Sequence, residues 1–154
     1  MGIEIERKFL VNPDLLPTLS EGKLISQGYI ETTSKTVVRA RVKGQSGYLT
    51  LKGEIQGLSC PEFEYEIPRD DAIKIIETLC TGKTLEKTRY EILVGEHTWE
   101  LDVFEGMNEG LIVAEIELSS EHEAFDTPNW VTEEVTGQPQ YYNVNLLQNP
   151  YSSW

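Results

Sequence analysis

Strand-length stretches of this chain alternate apolar with charged residues, and the charges recur as pairs two positions apart. Ile3, Ile5, Arg7 and Phe9 fall on one face of a strand, and Glu4, Glu6 and Lys8 share the other. Arg39, Arg41 and Lys43 oppose Val38, Ala40 and Val42, and Lys87, Arg89 and Glu91 fall together. Glu100 and Asp102 oppose Trp99, Leu101 and Val103, while Glu115 and Glu117 oppose Ala114, Ile116 and Leu118. Period-two alternation is the signature of strands. An antiparallel sheet can leave its polar face in water, but such a face usually mixes Ser, Thr and Gln with single charges. Like charges at i and i+2 repel one another. They are tolerated best where opposite charges, metals or anionic ligands compensate them. Strands that close into a barrel with the charged faces inward meet that condition, with helices covering the apolar outside.

The alternation predicts strands over residues 3–11, 24–32, 36–43, 47–52, 62–67, 85–94, 97–104 and 111–118. Turn chemistry separates several of them, as in Lys43-Gly44-Gln45-Ser46-Gly47 and Val94-Gly95-Glu96. Between Pro68 and Gly82 the apolar spacing becomes helical, so residues 70–79 form a helix. Residues 119–125 resemble a capped short helix, and 142–148 a further one. With 154 residues and neither linker nor repeat, residues 1–154 make one domain of about eight strands and a few helices.

The charge balance narrows the partners. Thirteen Lys+Arg against 26 Asp+Glu give a net charge of -13, and residues 90–154 hold thirteen acids and no Lys or Arg. That excess argues against binding a nucleic-acid backbone or an anionic membrane. Cys60 and Cys80 have no metal-ligand spacing, the first residues are charged at once, and no apolar run approaches bilayer length. The expectation is a cytoplasmic protein.

Glu4-Ile5-Glu6-Arg7-Lys8 resembles the Glu-x-Glu-x-Lys signature of the CYTH domain, the triphosphate tunnel metalloenzyme superfamily. The order of the later charged pairs strengthens the likeness: Arg39-x-Arg41, Leu49-Thr50-Leu51-Lys52, Glu62-x-Glu64, Glu86-Lys87-Thr88-Arg89-Tyr90, Glu100-Leu101-Asp102, and Glu115-x-Glu117. Trp130, Glu134-Val135-Thr136 and Tyr141 to Asn143 continue it, so it spans nearly the whole chain. The resemblance implies a mainly β (α+β) fold: a closed or nearly closed eight-stranded antiparallel β-barrel, a triphosphate tunnel, with a few helices on the outside.

A triphosphate needs a cage of cations, and Lys8, Arg39, Arg41, Lys52, Lys87 and Arg89 supply six. Arg suits bidentate contact with phosphate, and Lys acts as a point charge. Glu62 and Glu64 join them in the substrate-binding set that the resemblance implies. Glu4, Glu6, Asp102, Glu115 and Glu117 are hard oxygen ligands suited to Mg²⁺ or Mn²⁺. By resemblance, Glu4, Glu6 and Glu117 hold a first metal, while Asp102 and Glu115 hold or orient a second metal or the attacking water. Lys8, Tyr29, Glu115 and Lys87 are the implied catalytic residues, Tyr29 acting near the scissile phosphate with a lysine. Two positions depart from the family pattern: Cys60 and Gln140 stand where basic residues are common.

Other residues read more plainly. His97 and His122 are surface histidines, Cys60 and Cys80 are packed thiols, and Glu66 sits at a rim. Trp99, Trp130 and Tyr90 pack on the outer face, and no Gly-rich phosphate loop is present. The expected activity is metal-dependent hydrolysis of inorganic tripolyphosphate to pyrophosphate and phosphate. Alternatives are class IV adenylyl cyclase, thiamine or nucleoside triphosphatase, and a non-catalytic polyphosphate or nucleotide sensor. The expected partner is a small triphosphate, not nucleic acid or a membrane. An incompletely covered apolar exterior also suggests a homodimer.

Overall fold

The computed structural model describes residues 2–80, 82 and 84–154. Nine strands form the sheet: β1 (Ile3–Val11), β2 (Lys23–Ile30), β3 (Val37–Lys43), β4 (Ser46–Lys52), β5 (Ser59–Ile67), β6 (Leu85–Val94), β7 (His97–Phe104), β8 (Ile112–Glu117) and β9 (Val131–Glu134). Helix α1 (Arg69–Thr78) follows β5, and α2 (Asn143–Leu146) lies near the C-terminus. The order β5-β4-β3-β2-β6-β7-β8-β1 returns on itself because β1 also pairs with β5. Every one of these pairings is antiparallel, which makes a closed eight-stranded barrel.

Strand β1 does more than one job in this closure. Ile3, Glu4 and Ile5 face Pro61, Cys60 and Ser59 of β5, and Glu6 to Leu10 face β8. Phe9 and Val11 also pair with β9, the strand that lies outside the ring. One strand therefore carries the barrel seam and the first charged signature together.

The apolar positions pack outside the wall, as the alternation requires. Phe9, Trp99, Leu101, Ala114 and Ile116 of β1, β7 and β8 are covered by Leu118 and Trp130. Trp99 meets Phe9 and Trp130 with ring centroids 5.5 and 5.6 Å apart, contacts that contribute about 1 kcal/mol each beyond burial. Helix α1 covers β2, β3 and β4. Gly47 admits it closely, since a Cβ there would stand 2.9 Å from Ala72 Cβ. Asp70 and Asp71 in its first turn favour the positive end of the helix dipole.

Three details differ from the sequence expectation. Residues 119–125 form bends and a turn rather than a helix. The Glu123 carboxylate does accept from the Ser119 amide and hydroxyl, and it also pairs with His97. The chain must then carry Phe125 down to Trp99, at a centroid distance of 5.8 Å, which a continued helix would prevent. The second difference is α2, which does not cover the outer wall. Its Leu146 packs on Leu85, Phe104, Leu111 and Val113, apolar residues that continue the inner faces of β6 to β8. The third is β9 itself, which the alternation does not reveal as a strand.

Among the described residues, one part of the outer wall is left uncovered. Leu51, Phe63 and Tyr65 of β4 and β5 are exposed, with Ile3 of β1 beside them.

Candidate active site

The barrel encloses a cavity of about 1580 Å³ lined from all eight of its strands. Of the implied site residues, Glu4, Glu6, Lys8, Tyr29, Arg39, Arg41, Lys52, Glu62, Glu64, Lys87, Arg89, Glu115 and Glu117 all line it. Asp102 does not; it lies just behind the surface and is 1% exposed. Cross-strand register explains the gathering. Lys8 stands opposite Glu115, Glu6 opposite Glu117, Lys52 opposite Glu62, and Arg89 opposite Asp102.

Most of the cations already have partners. Lys87 Nζ donates to Asp102 Oδ2 at 2.6 Å and to Asn143 Oδ1 at 2.8 Å. Arg89 grips the same carboxylate through Nε at 2.7 Å and Nη2 at 2.9 Å, and reaches Glu100 at 3.1 Å. Asp102 is thus the shared counter-ion of two buried cations in this geometry. Lys52 pairs with Glu4 at 3.0 Å, and Arg39 with Glu64 at 3.2 Å. Lys8 Nζ donates to the Tyr141 carbonyl at 3.2 Å. Lys8 and Arg41 make no ion pair among the described residues, and the buried Arg39 Nε has no acceptor there.

The cavity is polarised into two neighbouring zones. On the β2, β3 and β6 side positive charge is in surplus. Burial, then Arg39 and Arg89, lowers Arg41 to about 10. Burial lowers Lys87 to about 7; Asp102 opposes the shift, and repulsion from Arg89 and Arg41 adds to it. An anion placed here would relieve all of them. On the β1, β5 and β8 side negative charge is in surplus. Burial, then Glu115, pushes Glu6 well above the carboxylate range. Glu115 stays well below it, because Lys8, a hydrogen bond from Glu6 and Arg89 outweigh its burial. Burial pushes Glu62 up to about 7. Glu117, raised by burial and then by Glu4, completes the set.

That acidic zone fits a divalent cation. Burial and mutual repulsion raise Glu6 beside Glu115, a crowding that a hard metal ion would relieve, since oxygen-only donors suit Mg²⁺ or Mn²⁺. The donors are not pre-assembled: among the described residues no three His, Cys, Asp or Glu side chains form a ready metal cage. Lys52 draws Glu4 aside, and Arg89 reaches Glu115 at 3.5 Å.

Residues that the charge pattern does not single out also matter. Thr50 Oγ1 accepts from Arg39 and donates to Glu64 at 2.9 Å, and Asn143 holds Lys87. Gln27 is fully buried between Arg41 and Tyr29. The usable signal is position: Gln27 and Thr50 lie two residues from Tyr29 and Lys52, on the same strand faces. Cys60 is buried as expected, but it is on the cavity wall, its Sγ 3.9 Å from Glu4 Oε2. Burial pushes its thiol up to about 11, which disfavours the thiolate. Cys80 lies on the outer wall against Gly28, Gln140 is exposed before Tyr141, and Glu66 is exposed opposite Tyr48.

A comparison with protein families matches residues 2–151 to the CYTH domain. The chain belongs to the CYTH family. Among curated relatives of this CYTH protein, the inorganic triphosphatase of Acetivibrio thermocellus is 48% identical, with 100% of this chain and 99% of the relative covered. The inorganic triphosphatase of Nitrosomonas europaea is 38% identical over 93% of this chain and 95% of its own. Among solved structures, the inorganic triphosphatase NE1496 superposes with a TM-score of 0.66 at 35% identity, covering 94% of this chain and 93% of that one.

Proposed function

We propose that this CYTH protein hydrolyses inorganic tripolyphosphate to pyrophosphate and phosphate with the help of a divalent metal. The observation that carries the reading is the polarised cavity, where a cation-rich zone abuts a carboxylate-rich one. A triphosphate bound to a metal ion is complementary to both at once. Relatives named inorganic triphosphatase at 48% and 38% identity support the same choice.

In this reading Arg39, Arg41, Lys52, Lys87 and Arg89 take the phosphate oxygens, Lys8 and Tyr29 face the scissile bond, Glu64 sets the position of Arg39, and Glu62 stands opposite Lys52 on the cavity wall. Glu4, Glu6, Glu115 and Glu117 would hold the metal, while Asp102 holds Lys87 and Arg89 in place for the phosphates. The metal supplies Lewis-acid charge neutralisation and a positioned nucleophile. The same reading takes the substrate free in the cytoplasm, with neither nucleic acid nor membrane as partner. It pairs two chains through the exposed Phe63 and Tyr65 face.

The test is turnover of tripolyphosphate, ATP and thiamine triphosphate with Mg²⁺ and with Mn²⁺, following phosphate release and cyclic AMP separately. Tripolyphosphate is expected to give the highest kcat/KM, with activity lost on chelation. Cyclic AMP as the main product would assign a cyclase instead, and binding without any turnover would assign a sensor. Glu4→Gln is expected to abolish metal-dependent turnover; wild-type kinetics in that variant would remove Glu4 from the metal site.

A further inference from the structure

We propose that Gln27 is a positioning residue of this site, whose amide ties Arg41 to Tyr29 and turns the Tyr29 O–H into the cavity. The inference rests on the proposed role of Tyr29 at the scissile phosphate. The β2–β3 register places Gln27 opposite Arg41 and Tyr29 opposite Arg39, so all four side chains share the inner face. Gln27 is 0% exposed and does not itself line the cavity, whereas Arg41 and Tyr29 do. It therefore lies behind the two groups and touches nothing that enters.

A buried amide needs a reason, because an unsatisfied one costs about 1–3 kcal/mol. Ile25, two residues earlier on the same strand face, is a fully buried aliphatic, so the face itself does not demand a polar side chain. Gln27 makes two hydrogen bonds. Its Oε1 accepts from Arg41 Nε at 2.8 Å, and its Nε2 donates to Tyr29 Oη at 2.6 Å. The direction is forced, because an Arg nitrogen can only donate, so the amide oxygen must face Arg41. The amide nitrogen must then face Tyr29, whose oxygen becomes an acceptor. The phenol hydrogen is left for a second partner, and the remaining open side of Tyr29 is the cavity. With Nε held by Gln27, the terminal nitrogens of Arg41 are likewise left for a ligand. One neutral amide sets the polarity of a hydroxyl and the aim of a guanidinium.

The substitution Gln27→Glu separates this role from simple support. It keeps an acceptor for Arg41 but replaces the donor to Tyr29 with a second acceptor, so the Tyr29 O–H is drawn back from the cavity. For tripolyphosphate, kcat is expected to fall about 100-fold, as for other small misplacements of reacting groups, while KM changes less than about threefold. Gln27→Met removes both bonds, so it is expected to raise KM as well as lower kcat. This variant carries the test if the glutamate variant fails to fold by circular dichroism. In a Tyr29→Phe background either substitution at position 27 is expected to change kcat less than about twofold, since coupled groups are not additive.

A full additional loss of kcat in that background would overturn the proposal, as would wild-type kcat in both position-27 variants. Wild-type kcat in Tyr29→Phe alone would also overturn it, because the hydroxyl being aimed would be idle. If the wild-type protein turns over no triphosphate at all, the functional reading fails first, and that result is separate from any comparison among variants.

Discussion

Asp102 faces Lys87 and Arg89 from a position only 1% exposed, and Lys87 is as deeply buried. Taking such charges out of water is costly, so removing one member of the cluster leaves the others uncompensated. Asp102→Asn keeps the shape and removes the charge. It is expected to lower unfolding free energy by about 3 kcal/mol, read from urea denaturation followed by tryptophan fluorescence. A loss under about 0.5 kcal/mol would place the counter-charge elsewhere. Saturating tripolyphosphate should restore part of the wild-type advantage only if the anion-binding zone survives the substitution. The cations and carboxylates of this cluster were legible in the sequence because like-signed pairs on strand faces are unusual. Their neutral partners were not. Gln27, Thr50 and Asn143 are residue types that solvated faces carry freely, and only the cross-strand register shows what each one holds.

At the scale of elements, β9 is clamped to β1 by Arg7, whose Nε and Nη2 donate to the two oxygens of Glu134 at 2.8 and 2.6 Å. The hydrogen bond from Arg7 holds the Glu134 carboxyl below its ordinary value of 4.5. A carboxylate with a depressed folded pKa stabilises fully above its unfolded pKa and loses that contribution as pH falls through the folded one. Glu134→Gln is therefore expected to destabilise by about 1 kcal/mol at pH 7, a figure bounded by the partial exposure of the pair. The gap from wild type should close as pH is lowered below 4.5 and through the depressed folded value. A gap that persists unchanged at low pH would show that packing, not charge, fixes β9. Leu146 of α2 is fully buried, and Leu146→Ala is expected to cost about 3 kcal/mol through the cavity it leaves, measured the same way. The eight barrel strands were readable because each is long enough for period two to repeat. Four residues of Val-Thr-Glu-Glu are too few for that, and β9 exists because β1 offers it an edge. Residues 119–125 carry good capping chemistry, yet the burial of Phe125 against Trp99 and Phe9 decides their path.

For the molecule as a whole, an antiparallel barrel with acids and bases together inside reconciles a net charge of -13 with a polyanionic substrate. Bulk charge describes the approach, and the lumen supplies its own local field. The exposed face of β4 and β5 is the proposed dimer interface. Phe63 and Tyr65 are 49% and 56% exposed on one face, and a homodimer formed there is expected to sediment at twice the chain mass. Phe63→Lys should yield monomers; a wild-type monomer at micromolar concentration would exclude this interface.

The three-way pairing of β1 also bears on how the chain comes to be folded. Glu6 stands opposite Glu117, and Arg7 bonds to Glu134, 127 positions further along the chain. A ribosome therefore delivers β1 long before β8 and β9, and the strand has no complete set of neighbours until both have emerged. Contacts this distant in sequence make closure slow. They also leave Phe9 and the unpaired edges of β1 open to chaperones in the interval. Synthesis, rather than the finished barrel, is the stage at which this protein is most exposed to misassembly.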